Sequence, residues 1–219
     1  MTEPTRVIVA ITGASGVAYG IRALDQLADM GVETHLVMTR SGIATLSHES
    51  DVSVQEVRAR ASVVHSPHDM GASISSGSFR VAGMLVAPCS VRALSGIANS
   101  YDEDLVVRAA DVTLKERRRL VLLLRETPLH AGHLRLMAQV TEAGAVVMPP
   151  VPAFYNRPSS VAEIVDDTVN RSLDLLGLDV RNERRWTGAR RTAPPGSRSP
   201  LPPGTEPAEP SEAATPGST

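Results

Sequence analysis

Two short turns, one lysine and a scatter of arginines hold most of the residues in this chain that could do chemistry. The first turn, Gly13-Ala14-Ser15-Gly16, follows the aliphatic run Val7-Ile8-Val9-Ala10-Ile11 and precedes a helical pattern. A turn so placed aims backbone N–H groups and the positive helix end into one concavity, which suits an anion or a nucleotide. The dinucleotide fingerprint G-x-G-x-x-G is absent. The spacing is Gly13-x-x-Gly16-x-x-x-Gly20, and no acidic residue closes the second strand, which favours a mononucleotide. A plain tight turn is the alternative. The second turn, Pro88-Cys89-Ser90-Val91-Arg92, again joins a strand to a helix, with Ser90 as the helix cap. Two such turns at one sheet edge could hold one ligand jointly. Cys89 has no base nearby in sequence and reads as a small core residue, not a nucleophile.

A third group comprises Arg108, Lys115, Arg125 and Glu126. Arg108 and Lys115 are seven residues apart and so share a helix face. Lys115 is the one lysine in a chain whose other basic residues are all arginine, so a compact ammonium is needed there or it survives by chance on a solvated face. Arg117-Arg118-Arg119 reads as a solvated basic face, whereas Arg125 ends a strand at the prospective binding edge. The proline-framed stretch from Met148 to Pro158 carries Phe154 and Tyr155 and suits a lid or a wall. His130 and His133 lack a suitably spaced carboxylate, so they read as capping or surface residues and no metal site is expected. No Ser-His-Asp arrangement can be argued from the spacing.

These residues need a scaffold, and the hydrophobic pattern supplies one. Strands are expected at Val7–Ile11, His35–Met38, Gly83–Ala87, Leu120–Leu124 and Ala145–Met148. Helices are expected over Val17–Met30, ended by Gly31, and over Ser90–Ala98, Glu103–Glu116, Leu129–Glu142 and Val161–Leu176. Alternation of this kind marks βαβ units around a parallel sheet, whose loops at the carboxyl ends of the strands bind ligands. The chain has 219 residues with net charge -2, 42% hydrophobic, 21% charged and 3% aromatic residues. One folded domain over residues 1–188 is expected, followed by a disordered Pro-rich tail over 189–219. No apolar run approaches the roughly 20 residues needed to cross a bilayer, so the expectation is a cytoplasmic protein without membrane contact. A single cysteine excludes an internal disulfide, and few aromatics without net positive charge argue against nucleic-acid binding.

Taken in order, several stretches resemble the UbiX flavin prenyltransferase family. They are Thr12-Gly13-Ala14-Ser15-Gly16, the run Ala72 to Phe79, Pro88-Cys89-Ser90, the run Arg108 to Arg118, Arg125-Glu126-Thr127-Pro128-Leu129, and Pro152-Ala153-Phe154-Tyr155. The resemblance covers about Arg6 to Gly188 and implies a Rossmann/flavodoxin-like three-layer sandwich with a mostly parallel sheet. It implies a metal-independent transferase that moves a dimethylallyl group from dimethylallyl phosphate to N5 and C6 of reduced FMN, giving prenylated FMN for UbiD-type decarboxylases. Dimethylallyl pyrophosphate is an open alternative donor. By the same resemblance, Gly13, Ala14, Ser15, Thr39, Ser90, Val91, Arg92, Ala93 and Arg125 hold FMN. Tyr155, Arg171, Arg108, Lys115 and Trp186 bind the prenyl phosphate or wall the prenyl group. Glu49, Lys115, Glu126 and Ser15 carry the chemistry, Glu49 assisting proton transfer. Thr39 stands where the family usually has Ser, and Ala93 where Thr is common. The family assembles into dodecamers with sites at subunit junctions. The rival readings are an FMN-dependent cysteine decarboxylase, disfavoured because the second turn lacks Asn, and a non-catalytic FMN carrier or accessory subunit of an aromatic-acid decarboxylase.

Overall fold

The computed structural model describes residues 3–180; Trp186 and the segment from residue 189 lie outside that range. Six strands, β1 (Arg6–Ile11), β2 (Glu33–Met38), β3 (Val63–His65), β4 (Gly83–Cys89), β5 (Arg119–Leu124) and β6 (Val146–Val147), form one sheet. Its order is β3-β2-β1-β4-β5-β6, and every neighbouring pair is parallel. Seven helices flank it: α1 (Val17–Asp29), α2 (Arg40–Glu49), α3 (Val54–Ala59), α4 (Val91–Ala98), α5 (Leu105–Lys115), α6 (Ala131–Glu142) and α7 (Val161–Leu175).

The central strands are apolar without interruption because both of their faces are covered. Ile8 and Ala10 of β1, with Met84 and Val86 of β4, meet Leu94, Ile97, Leu105 and Ala109 of α4 and α5. The alternate residues Val7, Val9 and Ile11 meet Leu24 and Leu27 of α1, Leu46 of α2 and Val169 and Leu173 of α7. The result is the expected three-layer sandwich, wound in both directions from β1. The chain leaves β1 towards β2 and later returns to pair β4 on its other side, so the crevice of this fold lies beyond the carboxyl ends of β1 and β4. Both turns singled out in the sequence are there.

Gly31 closes α1 in the left-handed conformation at φ 68, a backbone state that favours glycine. Three elements were not expected. α2 buries only Gly42 and Leu46 and so lacks an apolar stripe, α3 has six residues, and β3 is a three-residue edge strand. The helices nevertheless carried signals, since Thr39 caps α2 and Ser53 with Glu56 forms a capping box on α3. The strand expected at Ala145–Met148 shrinks to Val146–Val147 at the sheet edge.

The arginine run differs from its expected solvated face. Arg117 occupies the left-handed turn that reverses the chain between α5 and β5, at φ 57. Arg118 is half-buried and donates to two backbone carbonyls, and Arg119 donates to the Leu175 carbonyl at 3.1 Å. Among the described residues no helix is long and apolar enough to cross a membrane.

Candidate functional site

Thr12, the residue after β1, ties the two turns together. Its hydroxyl donates to the Pro88 carbonyl at 2.7 Å and accepts from the Ser90 amide at 2.8 Å, and its side chain is buried. Replacing it with valine leaves the half-buried Ser90 amide without that partner and the Pro88 carbonyl with only the Thr12 amide at 3.3 Å, which should destabilise the fold by roughly 1–2 kcal/mol. A urea unfolding midpoint indistinguishable between Thr12→Val and the parent protein would contradict this bridging role.

The turn that follows is packed against α2. A Cβ at Gly13 would lie 2.3 Å from Ser41 Cβ, so only glycine lets the first turn approach the start of α2. Beyond it opens a cleft of about 140 Å³ whose lining includes Thr12, Gly13, Thr39, Ser90, Ala93 and Asp104. Three of these are helix caps. Thr39 Oγ1 accepts from the Gly42 amide at 3.0 Å, Ser90 Oγ from the Ala93 amide at 3.2 Å, and Asp104 Oδ1 from the Val107 amide at 3.0 Å. The amino ends of α2, α4 and α5 therefore converge on one cleft and give it the positive partial charge that favours an anion. Accepting from an amide leaves the Thr39 and Ser90 hydroxyl hydrogens available to donate to a ligand. Asp104 and Thr12 were not singled out in the sequence. Asp104 carried a signal, a polar cap directly before the apolar pattern of α5.

The amino end of α1 also holds an anion, and it comes from the chain itself. Glu49, the last residue of α2, accepts the Gly16 and Val17 amides on Oε2 at 2.8 and 3.1 Å. Partial burial raises the pKa of its carboxyl, but the Ser15 hydroxyl, the two amides and the nearby Arg125 charge outweigh that, and the net shift is downward. Arg125 follows β5 directly, with its amide on the Cys89 carbonyl at 3.0 Å and its Cγ 3.9 Å from where a Gly16 Cβ would lie. It thus lies over the first turn. Burial raises the pKa of Tyr19 in the same neighbourhood, against the opposing effect of Arg125. The structure accordingly gathers Gly13, Ala14, Ser15, Thr39, Glu49, Ser90, Val91, Ala93 and Arg125 around the two turns. Arg92 lies at the rim, its guanidinium 2.6 Å from Glu103. Glu126 lies just beyond Arg125 and accepts the Thr127 amide at 3.0 Å. Burial pushes the Cys89 thiol up to about 12, which removes it as a nucleophile, as expected.

The remaining residues are elsewhere in the chain. Lys115 closes α5 four residues before β5 begins, whereas Arg125 follows the end of β5. Six strand residues span roughly 20 Å, so the two cations stand at opposite edges of the sheet. Arg108 leaves α5 on the same side as Lys115, as their spacing predicts, and is already engaged. Its Nη1 meets Asp102 and Asp111 at 3.1 and 3.4 Å, and its Nε donates to the Ser75 carbonyl at 3.2 Å. Arg171 is on α7, across the sheet from α5, 62% exposed and 3.8 Å from Asp174. Tyr155 is 69% exposed in a single helical turn, Phe154–Asn156, after β6. One copy of the described chain therefore does not assemble Arg108, Lys115, Tyr155 and Arg171 around the cleft. His130 caps α6, accepting the Gly132 amide at 3.0 Å, and His133 packs against its ring. Among the described residues no group of three or more His, Cys, Asp or Glu is placed to hold a metal ion.

Comparison with known proteins identifies the family. The family model described as Flavoprotein matches residues 1–172. A flavin prenyltransferase UbiX of Thauera aromatica is 55% identical over 183 residues, covering 84% of this chain and 94% of that protein. The flavin prenyltransferase UbiX of Escherichia coli (strain K12) is 56% identical over 187 residues, 84% of this chain and 99% of its own. Among solved structures, AnUbiX (PadA1) in complex with FMN and dimethylallyl pyrophosphate superposes with a TM-score of 0.84 at 50% identity, over 86% of this chain and all of that one. A dodecameric FMN-dependent UbiX-like decarboxylase from Escherichia coli O157:H7 superposes at 0.81 with 47% identity, over 84% of this chain and 100% of that chain. A phosphopantothenoylcysteine (PPC) decarboxylase shares the fold alone, at 17% identity and a TM-score of 0.55 over 78% of this chain and 100% of that one. With half its residues shared along most of its length, the chain belongs to the flavoprotein family and, within it, to the UbiX flavin prenyltransferases.

Proposed function

We propose that the protein transfers a dimethylallyl group from dimethylallyl phosphate to N5 and C6 of reduced FMN, releasing phosphate and giving prenylated FMN. One observation carries this reading above the rest: the cleft at the β1/β4 crossover, faced by three capped helix ends, in a chain half-identical to a protein solved with FMN and dimethylallyl pyrophosphate. The residues present fit a flavin mononucleotide. Gly13 leaves the first turn bare, Thr39 and Ser90 offer hydroxyls, and Arg125 supplies a cation beside them. Reduced FMN, as the acceptor substrate, supplies the nucleophilic ring positions.

The protein's own groups handle charge and protons. As the C–O bond of the donor breaks, the leaving phosphate gathers negative charge, and fixed Lys and Arg charges in a site closed to water stabilise it without a metal. Lys115, Arg108, Arg171 and Tyr155 are the groups of the right kind, Tyr155 and Trp186 also offering aromatic faces to an allylic cation. Glu49, ionised and hydrogen-bonded to Ser15, is in the right state to accept the proton released when C6 is alkylated, with the released phosphate as a second acceptor.

Because Lys115 stands a sheet's length from Arg125 in one copy and Arg171 and Tyr155 lie away from the cleft, the site is completed by a neighbouring copy, in a dodecamer like that of the Escherichia coli O157:H7 relative. A cytoplasmic location and delivery of the product to a UbiD-type decarboxylase complete the reading.

The test is mass spectrometry of the flavin released after anaerobic incubation of the pure protein with reduced FMN and dimethylallyl phosphate. A mass gain of one dimethylallyl group that requires the protein is expected. Bound but unaltered FMN with either the phosphate or the pyrophosphate donor would return the carrier reading to the front.

A further inference from the structure

The segment from Ala72 to Phe79 belongs to no strand, yet the chain secures it at several points. Ile74 is buried in the core, the Arg108 Nε donates to the Ser75 carbonyl at 3.2 Å, and the Phe79 ring packs edge-to-face with His35 and beneath the Arg6 guanidinium. Its most specific attachment comes from Arg118. This guanidinium donates Nη2 to the Gly77 carbonyl and Nη1 to the Phe79 carbonyl, both at 2.7 Å. A planar fork can grip two carbonyls at once in a way that a single ammonium cannot.

Gly77 is also the floor beneath Lys115. A Cβ added there would fall 2.1 Å from Glu116 Oε1 and 2.9 Å from Lys115 Nζ, so both side chains fold over the bare glycine. There they pair with each other at 2.5 Å. The Lys115 ammonium therefore has three constraints: the carboxylate beside it, the glycine below it, and the arginine that fixes the glycine. Arg118 holds the carbonyls on both sides of Ser78, a grip that a solvated basic face would not require.

We propose that Arg118 is a positioning residue for prenyl transfer: by clamping the carbonyls of Gly77 and Phe79 it fixes the platform on which Lys115 presents its ammonium to the prenyl phosphate. The catalytic part of this inference rests on the function proposed above; the geometric part does not. Gly77 and Arg118 thus form one device with Lys115, and damage to either should misplace the same charge.

The chain's single lysine makes a direct test possible, because an amine reagent can reach only Lys115 and the α-amino group, which peptide mapping separates. Trace acetylation of the intact assembled protein would be compared for the parent, Arg118→Ala, Arg118→Lys and Gly77→Ala. Labelling of Lys115 is expected to rise about threefold or more in Arg118→Ala and Gly77→Ala, as the ion pair loosens. In the same proteins kcat/KM for dimethylallyl phosphate should fall about 10- to 100-fold, through kcat as well as KM, with FMN affinity unchanged. Arg118→Lys should recover part of the loss. Unchanged labelling and unchanged KM in Gly77→Ala and Arg118→Ala would overturn the proposal; if Arg118→Ala does not fold, Gly77→Ala decides alone, since its added methyl meets only the far ends of two flexible side chains. Changed labelling in a parent protein that transfers no prenyl group would uphold the clamp and sink only the prenyl-transfer reading.

Discussion

Lys115→Ala is expected to slow prenyl transfer by about 100- to 1,000-fold while leaving the FMN dissociation constant within about twofold of the parent, because the ammonium acts on the departing phosphate. Arg125→Ala should do the reverse, weakening FMN binding, because Arg125 lies over the first turn. The two defects lie at opposite sheet edges, which makes their combination informative. If each site takes Lys115 from one copy and Arg125 from another, co-expressing the two single variants should restore roughly a quarter of the parental activity, the fraction of randomly mixed sites with both residues intact. The double variant should restore none. Mixed assemblies as inactive as either variant would show that one copy supplies both residues, and the shared site would have to be abandoned.

Glu49→Gln is expected to retain FMN and to slow prenylation by about 100-fold, since the amide can still accept the Gly16 and Val17 amides but cannot take a proton. The pH dependence follows from the direction of its shift. The folded-state pKa of Glu49 is lowered, so its contribution to stability is fully present above the ordinary carboxylate value and is lost as pH falls through the lowered one. Glu49 is exposed at the end of α2, so this contribution should be modest, roughly 0.3–1 kcal/mol as for other charges at helix ends. Thermal melts between pH 7 and pH 3 should therefore show a gentler acid decline for Glu49→Gln than for the parent. The acid limb of the parental rate profile should also be missing from the variant. Parallel stability curves for the two proteins would mean that Glu49 does not carry its charge onto the α1 amides.

The two turns are legible in the sequence because local rules govern them. A glycine after an aliphatic strand and a serine before a helix have few other uses, and the paired turns at the β1/β4 crossover follow once the strand order is 3-2-1-4-5-6. Arg125 is legible at the binding edge as the end of a strand, whereas Glu49 is placed at the site only by resemblance, and its role on the α1 amides depends on α2 packing against β1, where Gly42 meets the Ile11 carbonyl. That contact leaves no periodic trace in the residues of α2. Arg118 went unrecognised for a related reason. A run of three arginines looks alike in sequence whether water or carbonyls surround it, and only the fold shows that Gly77 and Phe79, some 40 residues earlier, face the guanidinium.

Composition, strand-and-helix alternation and the order of short motifs were enough to specify the sandwich, the family and most of the cleft, because these depend on burial and on chain-local geometry. The separation of Lys115 from Arg125, the capture of the α1 amides by Glu49 and the clamp on Gly77 were decided by tertiary structure alone. Each depends on which distant backbone atoms meet a side chain, and that is set by how the layers pack rather than by the spacing of residues along the chain.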